Sequence, residues 1–201
     1  NPHTREIDWE KLTRTVKLAV HFLDNVIDMN KYPLKKIAFI TKANRKIGLG
    51  IMGFADMLIK LGIPYNSDEA VLTAERVMQF VLKKGREQSR ALARKRGAFP
   101  NFEKSVYKNG KEGVLRNATL TTIAPTGSLS IIAGCSSGIE PLFAISYVRK
   151  ILDNTRMVEV HPYFKEIAIE SGFFSPELMK MIADKGSIQE IEEIPSDIKK
   201  L

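Results

Sequence analysis

Residues 116–141, RNATLTTIAPTGSLSIIAGCSSGIEP, constrain the fold more than any other part of the chain. Residues 118–123 are rich in β-branched side chains and read as a strand. The pattern breaks at Ala124-Pro125, passes through Thr126-Gly127-Ser128, and resumes as an apolar run over 129–133 that starts a helix. A strand, a tight polar turn and a helix start together aim backbone N–H groups at an anion. Pro125 has no N–H to give, so the donors fall to Thr126, Gly127, Ser128 and Leu129. Gly127 admits close approach to the backbone, and the hydroxyls of Thr126 and Ser128 can donate to phosphate oxygens. The same pattern also describes an ordinary strand-to-helix turn with Ser128 as N-cap. The residues alone leave both readings open.

Upstream of this stretch the pattern is mainly helical. Asp8 is placed to cap a helix whose apolar residues, Trp9, Leu12, Val16, Val20, Leu23, Val26 and Ile27, recur every three or four positions. It ends near Asn30, before Tyr32-Pro33. Residues 42–53, KANRKIGLGIMG, are basic and glycine-rich. GLGIMG fits the GxGxxG pattern, but 43–47 lack strand character, so close helix packing through the glycines is the expected role rather than cofactor binding. A helix over about 53–61 closes at Gly62 ahead of Pro64. Ser67 caps a long helix, with Gly85 as a weak point and Gly97 as the stop. Residues 98–113 form a loop. Downstream, 142–148 read as a strand, His161-Pro162 and Ser175-Pro176 each open a helix, and Ser187 begins a short last one. Helices alternating with isolated strands make the class α/β. Two or three strands are too few to close a barrel of their own.

Composition narrows the function classes. A chain of 201 residues with 44% hydrophobic and 27% charged residues is expected to bury a sizeable core. No run approaches the roughly 18 apolar residues of a membrane span, and the start has no signal-peptide core, so no membrane partner is expected and the setting is cytoplasmic. The first residue is not Met, so a fragment or a processed product is expected. One cysteine, Cys135, makes neither an intrachain disulfide nor a CxxC site. His3, His21 and His161 are scattered without metal-site spacing, so no metal site is expected. The net charge of +8 is spread out, with a concentration over 85–97 that reads as a solvated helix face. Nucleotide polyphosphates are a simpler anionic partner than nucleic acid.

Three stretches resemble a known family: RNATLTTIAPTGSLSIIAG with SSGIEPLFA, NRKIGLGIMGFADMLIKLGIPY (44–65), and LDNVIDMNKYPL (23–34). The chain is similar to the large catalytic subunit of ribonucleotide reductases, most closely the adenosylcobalamin-dependent class II branch. The resemblance implies a helix-rich part of a ten-stranded α/β barrel, with all of 1–201 a single segment of the catalytic barrel domain of a longer chain. It implies reduction of ribonucleotides to deoxyribonucleotides by radical chemistry for DNA synthesis, with adenosylcobalamin as cofactor and a homodimer as the complete enzyme. Pro125, Thr126, Gly127, Ser128 and Leu129 match the segment that binds the substrate's phosphates. Arg116, Asn117, Ser136, Ser137 and Glu140 lie in matching text with no role carried over.

The family's Asn-Pro-Cys-Gly-Glu type of motif is absent from this sequence, and the resemblance places its three active-site cysteines upstream of Asn1. No catalytic residue is therefore expected here, and Cys135 is expected to pack as a small buried residue. Two function classes follow. One is a reductase segment that holds substrate phosphates and depends on the upstream polypeptide. The other is a non-catalytic basic α/β module that binds nucleotides or nucleic acid.

Overall fold

The structure is a computed structural model that describes residues 6–111, 113–150 and 156–200. In chain order its elements are helices α1 (Trp9–Met29), α2 (Lys35–Asn44), α3 (Phe54–Leu61), α4 (Asp68–Arg96) and α5 (Gly127–Ala133), strands β1 (Ser146–Lys150) and β2 (Arg156–Val160), and helices α6 (Pro162–Glu170) and α7 (Pro176–Lys185). The chain divides into two compact units, Asn1–Ile51 with Val71–Ala124, and Met52–Ala70 with Pro125–Leu201. His3, one of the scattered histidines, lies outside the described residues.

In the first unit, α1 begins as its sequence requires. The Asp8 side chain accepts from Lys11 N–H at 2.8 Å, and Val16, Val20 and Ile27 bury one stripe of the helix. Asp24 lies on that same stripe and is fully buried. Its carboxylate accepts from Arg45 Nε at 2.9 Å, Asn117 Nδ2 at 3.0 Å, Arg96 Nη1 at 3.2 Å and Arg116 Nε at 3.4 Å. Arg45 also makes a bidentate pair with Asp28, both bonds at 2.8 Å. Burial, the largest influence on Asp24, opposes its ionisation. The guanidiniums of Arg45 and Arg116 and the Asn117 amide outweigh it and hold the carboxyl below the usual range.

Arg45 closes α2 in the left-handed region, at φ 46°. The sequence reading has no helix at α2. Its N-cap, Leu34, offers no side-chain bond, and Ala43 is the buried residue, so neither a cap nor an apolar period marks it. Residues 47–49 then run beside 119–122. Ile47 N–H bonds Thr119 O at 3.2 Å, Leu49 N–H bonds Leu120 O at 2.8 Å, and Thr122 N–H bonds Leu49 O at 3.2 Å. The strand expected over 118–123 is thus reduced to a parallel bridge, Leu49↔Thr121, because its described pairing is this short. The glycines serve this approach. A Cβ on Gly48 would stand 2.9 Å from Thr122 Cγ2, and one on Gly50 would stand 3.2 Å from Thr122 O. Close packing is the expected role, but against an extended segment rather than a helix.

Helix α4 starts as expected, with Ser67 Oγ accepting from Ala70 N–H at 3.1 Å. It runs unbroken through Gly85. A Cβ there would meet Val20 Cγ2 at 3.8 Å and Leu120 Cβ at 4.0 Å, so the bare backbone lies close to α1. The helix stops before Gly97 at φ 82°. Phe99, Phe102 and Leu115 then form a small core of their own.

In the second unit, β1 and β2 pair antiparallel, from Ser146↔Val160 to Lys150↔Arg156. The strand expected at 142–148 starts four residues later, where β2 supplies its ladder. Phe164, Ala168, Leu178, Met179 and Ile182 from α6 and α7 pack with Ile188, Ile191, Ile194 and Ile198. Those four isoleucines mislead a reader of the sequence. Their spacing suits a helix from Ser187, but the backbone makes successive turns, with Ile191 N–H bonded to Ile188 O and Ile194 N–H to Ile191 O, each at 3.3 Å. A short 3-10 helix follows over Ile198–Lys200.

Candidate functional site

The turn ahead of α5 gathers the five residues singled out by sequence. Thr126, not Ser128, is the N-cap, in the left-handed region at φ 55°. Ser128 falls inside the first turn, because Ser130 N–H closes the first helical bond on Thr126 O at 2.8 Å. The N–H groups of Gly127, Ser128 and Leu129 precede that bond and so have no intrahelical acceptor. Pro125, Gly127, Ser128 and Leu129 are exposed, and Thr126 is half-buried. A Cβ built on Gly127 meets nothing within 4 Å. The turn therefore offers neighbouring N–H donors and a hydroxyl on an uncrowded surface, a set suited to an oxyanion.

A second segment, residues 136–138, braces the first. Gly138 N–H donates to Thr126 Oγ1 at 2.7 Å. The Ser130 hydroxyl lies 2.8 Å from that of Ser137 and donates to Gly127 O at 3.0 Å. On the other side Ser136 N–H donates to Asp56 Oδ2 at 2.7 Å, and Gly53 N–H donates to Ser136 O at 2.8 Å. Asp56 is buried in the first turn of α3, and its Oδ1 lies 2.9 Å from His161 Nε2. A carboxylate only accepts, so Nε2 carries the proton. Burial, the largest influence, would raise the Asp56 carboxyl. The hydrogen bonds from His161 and Ser136 N–H, with the charges of His161 and Lys60, outweigh it and hold the group below the usual range.

Beside these turns opens a cleft of about 590 Å³ whose walls include Ser130, Cys135, Ser137, Glu140, Tyr147 and His161. Cys135 is not the fully buried residue expected but is half-buried on this wall, where burial, and then the Asp56 charge, push its thiol up from its ordinary value. Such a thiol is a poor thiolate at neutral pH. Of the flanking residues, Ser136 and Ser137 brace the turn, while Arg116 and Asn117 are bound into the Asp24 cluster. Glu140 N–H bonds Ser137 O at 3.0 Å. Sequence reasoning misses Asp56 and His161 as a pair. Its one signal is an acid among the buried apolar residues Phe54, Ala55 and Leu58 of a short helix.

The full length, residues 1–201, matches the family model described as ribonucleotide reductase, barrel domain. The chain belongs to the ribonucleotide reductase barrel-domain family. It is 50% identical over 198 residues to a vitamin B12-dependent ribonucleoside-diphosphate reductase of Thermoplasma acidophilum, covering 98% of this chain and 25% of that protein. It is 42% identical over 193 residues to a reductase of the same name from Mycobacterium tuberculosis, covering 96% of this chain and 28% of that protein. The chain thus spans about a quarter of the length of these curated relatives. Among solved structures, the class Id ribonucleotide reductase alpha subunit of Actinobacillus ureae superposes with a TM-score of 0.75 at 22% identity, covering 92% of this chain and 34% of that one. That likeness carries the fold. The chain is a helix-rich segment of the reductase α/β barrel, which accounts for the few strands and single parallel bridge among the described residues. Among the described residues no helix is long and apolar enough to cross a membrane.

Proposed function

We propose that this chain is the substrate-phosphate-holding segment of a ribonucleotide reductase that makes deoxyribonucleotides for DNA synthesis. All of 1–201 then forms one segment of the catalytic barrel domain. The complete enzyme is a cytoplasmic homodimer, and it relies on the upstream polypeptide for its three reactive cysteines. Two relatives covering nearly the whole chain are named vitamin B12-dependent ribonucleoside-diphosphate reductases, which supports adenosylcobalamin as cofactor and ribonucleotides as substrate. The observation that carries the site is the exposed turn of Pro125, Thr126, Gly127, Ser128 and Leu129, where a Cβ on Gly127 would meet nothing.

In this reading the N–H groups of Gly127, Ser128 and Leu129 and the Ser128 hydroxyl donate to phosphate oxygens. Thr126 Oγ1 already accepts from Gly138 N–H, so its own O–H remains a donor. Holding the phosphates anchors the nucleotide in the site equally before and during the reaction, so the turn sets affinity for the diphosphate. The cofactor, when bound, supplies the radical. In this reading Cys135 is given no part in the chemistry, and its thiol, pushed up by burial and the Asp56 charge, is a poor thiolate nucleophile.

The test is deoxynucleotide formation with adenosylcobalamin and a dithiol supplied. The complete reductase should form product, and the 201-residue chain alone should form none above a cofactor-only control. Turnover by the isolated chain, or none by the complete reductase, would overturn the assignment.

A further inference from the structure

We infer that Asp56 and His161 are positioning residues for the phosphate-holding turn, acting through the brace at residues 136–138. The inference rests on the reading of Pro125, Thr126, Gly127, Ser128 and Leu129 as the phosphate-binding turn.

The hydrogen bonds form one continuous path. His161 is the N-cap residue of α6, and its backbone N–H is fixed to Ile145 O at 2.7 Å. Its Nε2–H meets Asp56 Oδ1 at 2.9 Å. The other carboxylate oxygen takes Ser136 N–H at 2.7 Å. Two residues on, Gly138 N–H donates to Thr126 Oγ1 at 2.7 Å. Each acceptor is thus held by a donor from a different element.

Thr126 is where this restraint matters. A β-branched residue disfavours the left-handed region, so its φ of 55° has to be held from outside its own backbone. The peptide direction at Thr126 sets where the N–H groups of Gly127 and Ser128 point. Asp56 fits a positioning part better than a simple cap. It is in the first turn of α3, yet its carboxylate is aimed at Ser136, eighty residues away in sequence, and at His161. His161 Nδ1 is buried and makes no hydrogen bond among the described residues, so the ring's polar contact is the one to Asp56. That orphaned nitrogen is a cost accepted at a site where the other ring nitrogen has a directed task.

The experiment uses the complete reductase and a ribonucleoside diphosphate, with the parent nucleoside as a ligand lacking phosphates. Asp56→Asn and His161→Ala should each raise KM for the diphosphate about tenfold, the scale of one charge-assisted hydrogen bond, with kcat within about twofold. Equilibrium affinity for the nucleoside should not move. His161→Gln offers an amide N–H to the Asp56 carboxylate and should recover most of the lost affinity. Unchanged KM in both variants, or a fall in kcat with KM unmoved, would overturn the inference. So would a Gln variant no better than Ala. If Asp56→Asn does not fold, the Ala and Gln variants of His161 decide by the same outcomes. Gly127→Val separates the two layers. Weaker diphosphate binding there, with Asp56→Asn and His161→Ala unaffected, would refute the positioning part alone. Unchanged diphosphate affinity in Gly127→Val would refute the phosphate turn itself, and the inference with it.

Discussion

Two aspartates are buried on apolar helix faces, one in each compact unit, and they are held in opposite ways. Asp24 in α1 is met by the guanidiniums of Arg45, Arg96 and Arg116 and by the Asn117 amide. Asp56 in α3 is met by one histidine ring and one backbone N–H. The first set is permanently charged and comes from residues spread between 45 and 117, so it ties distant chain segments together irrespective of conditions near neutrality. The second set is one ring N–H and one backbone N–H, and it ends on the segment that braces the candidate turn. A buried carboxylate thus does scaffold work when ringed by arginines, and orienting work when its donors belong to a loop.

Breaking the arginine-ringed cluster should have the largest effect. Asp24→Ala leaves three guanidiniums around an emptied site, and removing one partner of a buried ion pair costs about 3–5 kcal/mol. Urea unfolding should report a loss of that order, and a loss below about 1 kcal/mol would erase the contrast between the two aspartates. Asp56→Asn removes one charge-assisted contact from a smaller set and should cost about 1.5–3 kcal/mol in the same assay. A cost equal to or above that of Asp24→Ala would reverse the ranking.

Acid should act on both carboxylates in the same direction. Each is held below its ordinary value in the fold, so the unfolded chain binds protons first as pH falls. Their stabilisation is therefore complete above the ordinary carboxylate range near about pH 4, and is lost as pH drops below it through the depressed folded values. Asp24→Ala should flatten this acid limb, and a limb of unchanged steepness would place the titrating groups elsewhere. The smallest effect belongs to Cys135→Ser. The proposed function gives it no role, so that variant of the complete reductase should keep turnover within about twofold and lose no more than about 1 kcal/mol of stability. Loss of turnover with the fold retained would give Cys135 a part in the chemistry.

What could be read from sequence depended on where the determining partner lies. Helices α1, α3, α4, α6 and α7 were legible because Asp8, Gly62, Ser67, Pro162 and Ser175 mark their ends locally. Helix α2 carries no such mark, and β2 exists through pairing with β1. The isoleucines after Ser187 have a helix-like spacing that repeated turns satisfy equally well. At the site, Pro125-Thr126-Gly127 announced a turn and a helix start. Its N-cap did not show, because the left-handed Thr126 is fixed by Gly138, twelve residues on. The Asp56–His161 pair spans 105 positions, beyond any local pattern. An acid on the buried face of α3 was its trace.

The most direct measurement is diphosphate affinity in Gly127→Val of the complete reductase. A Cβ there meets nothing within 4 Å beyond its chain neighbours and its own helix backbone, so the substitution is directed at the ligand rather than at the packing. If this turn holds the phosphates, a ribonucleoside diphosphate should bind about tenfold or more weakly, the scale of one lost charge-assisted hydrogen bond, while the parent nucleoside binds as before. Unchanged diphosphate affinity in the folded variant would contradict the assignment of Pro125, Thr126, Gly127, Ser128 and Leu129 as the phosphate site.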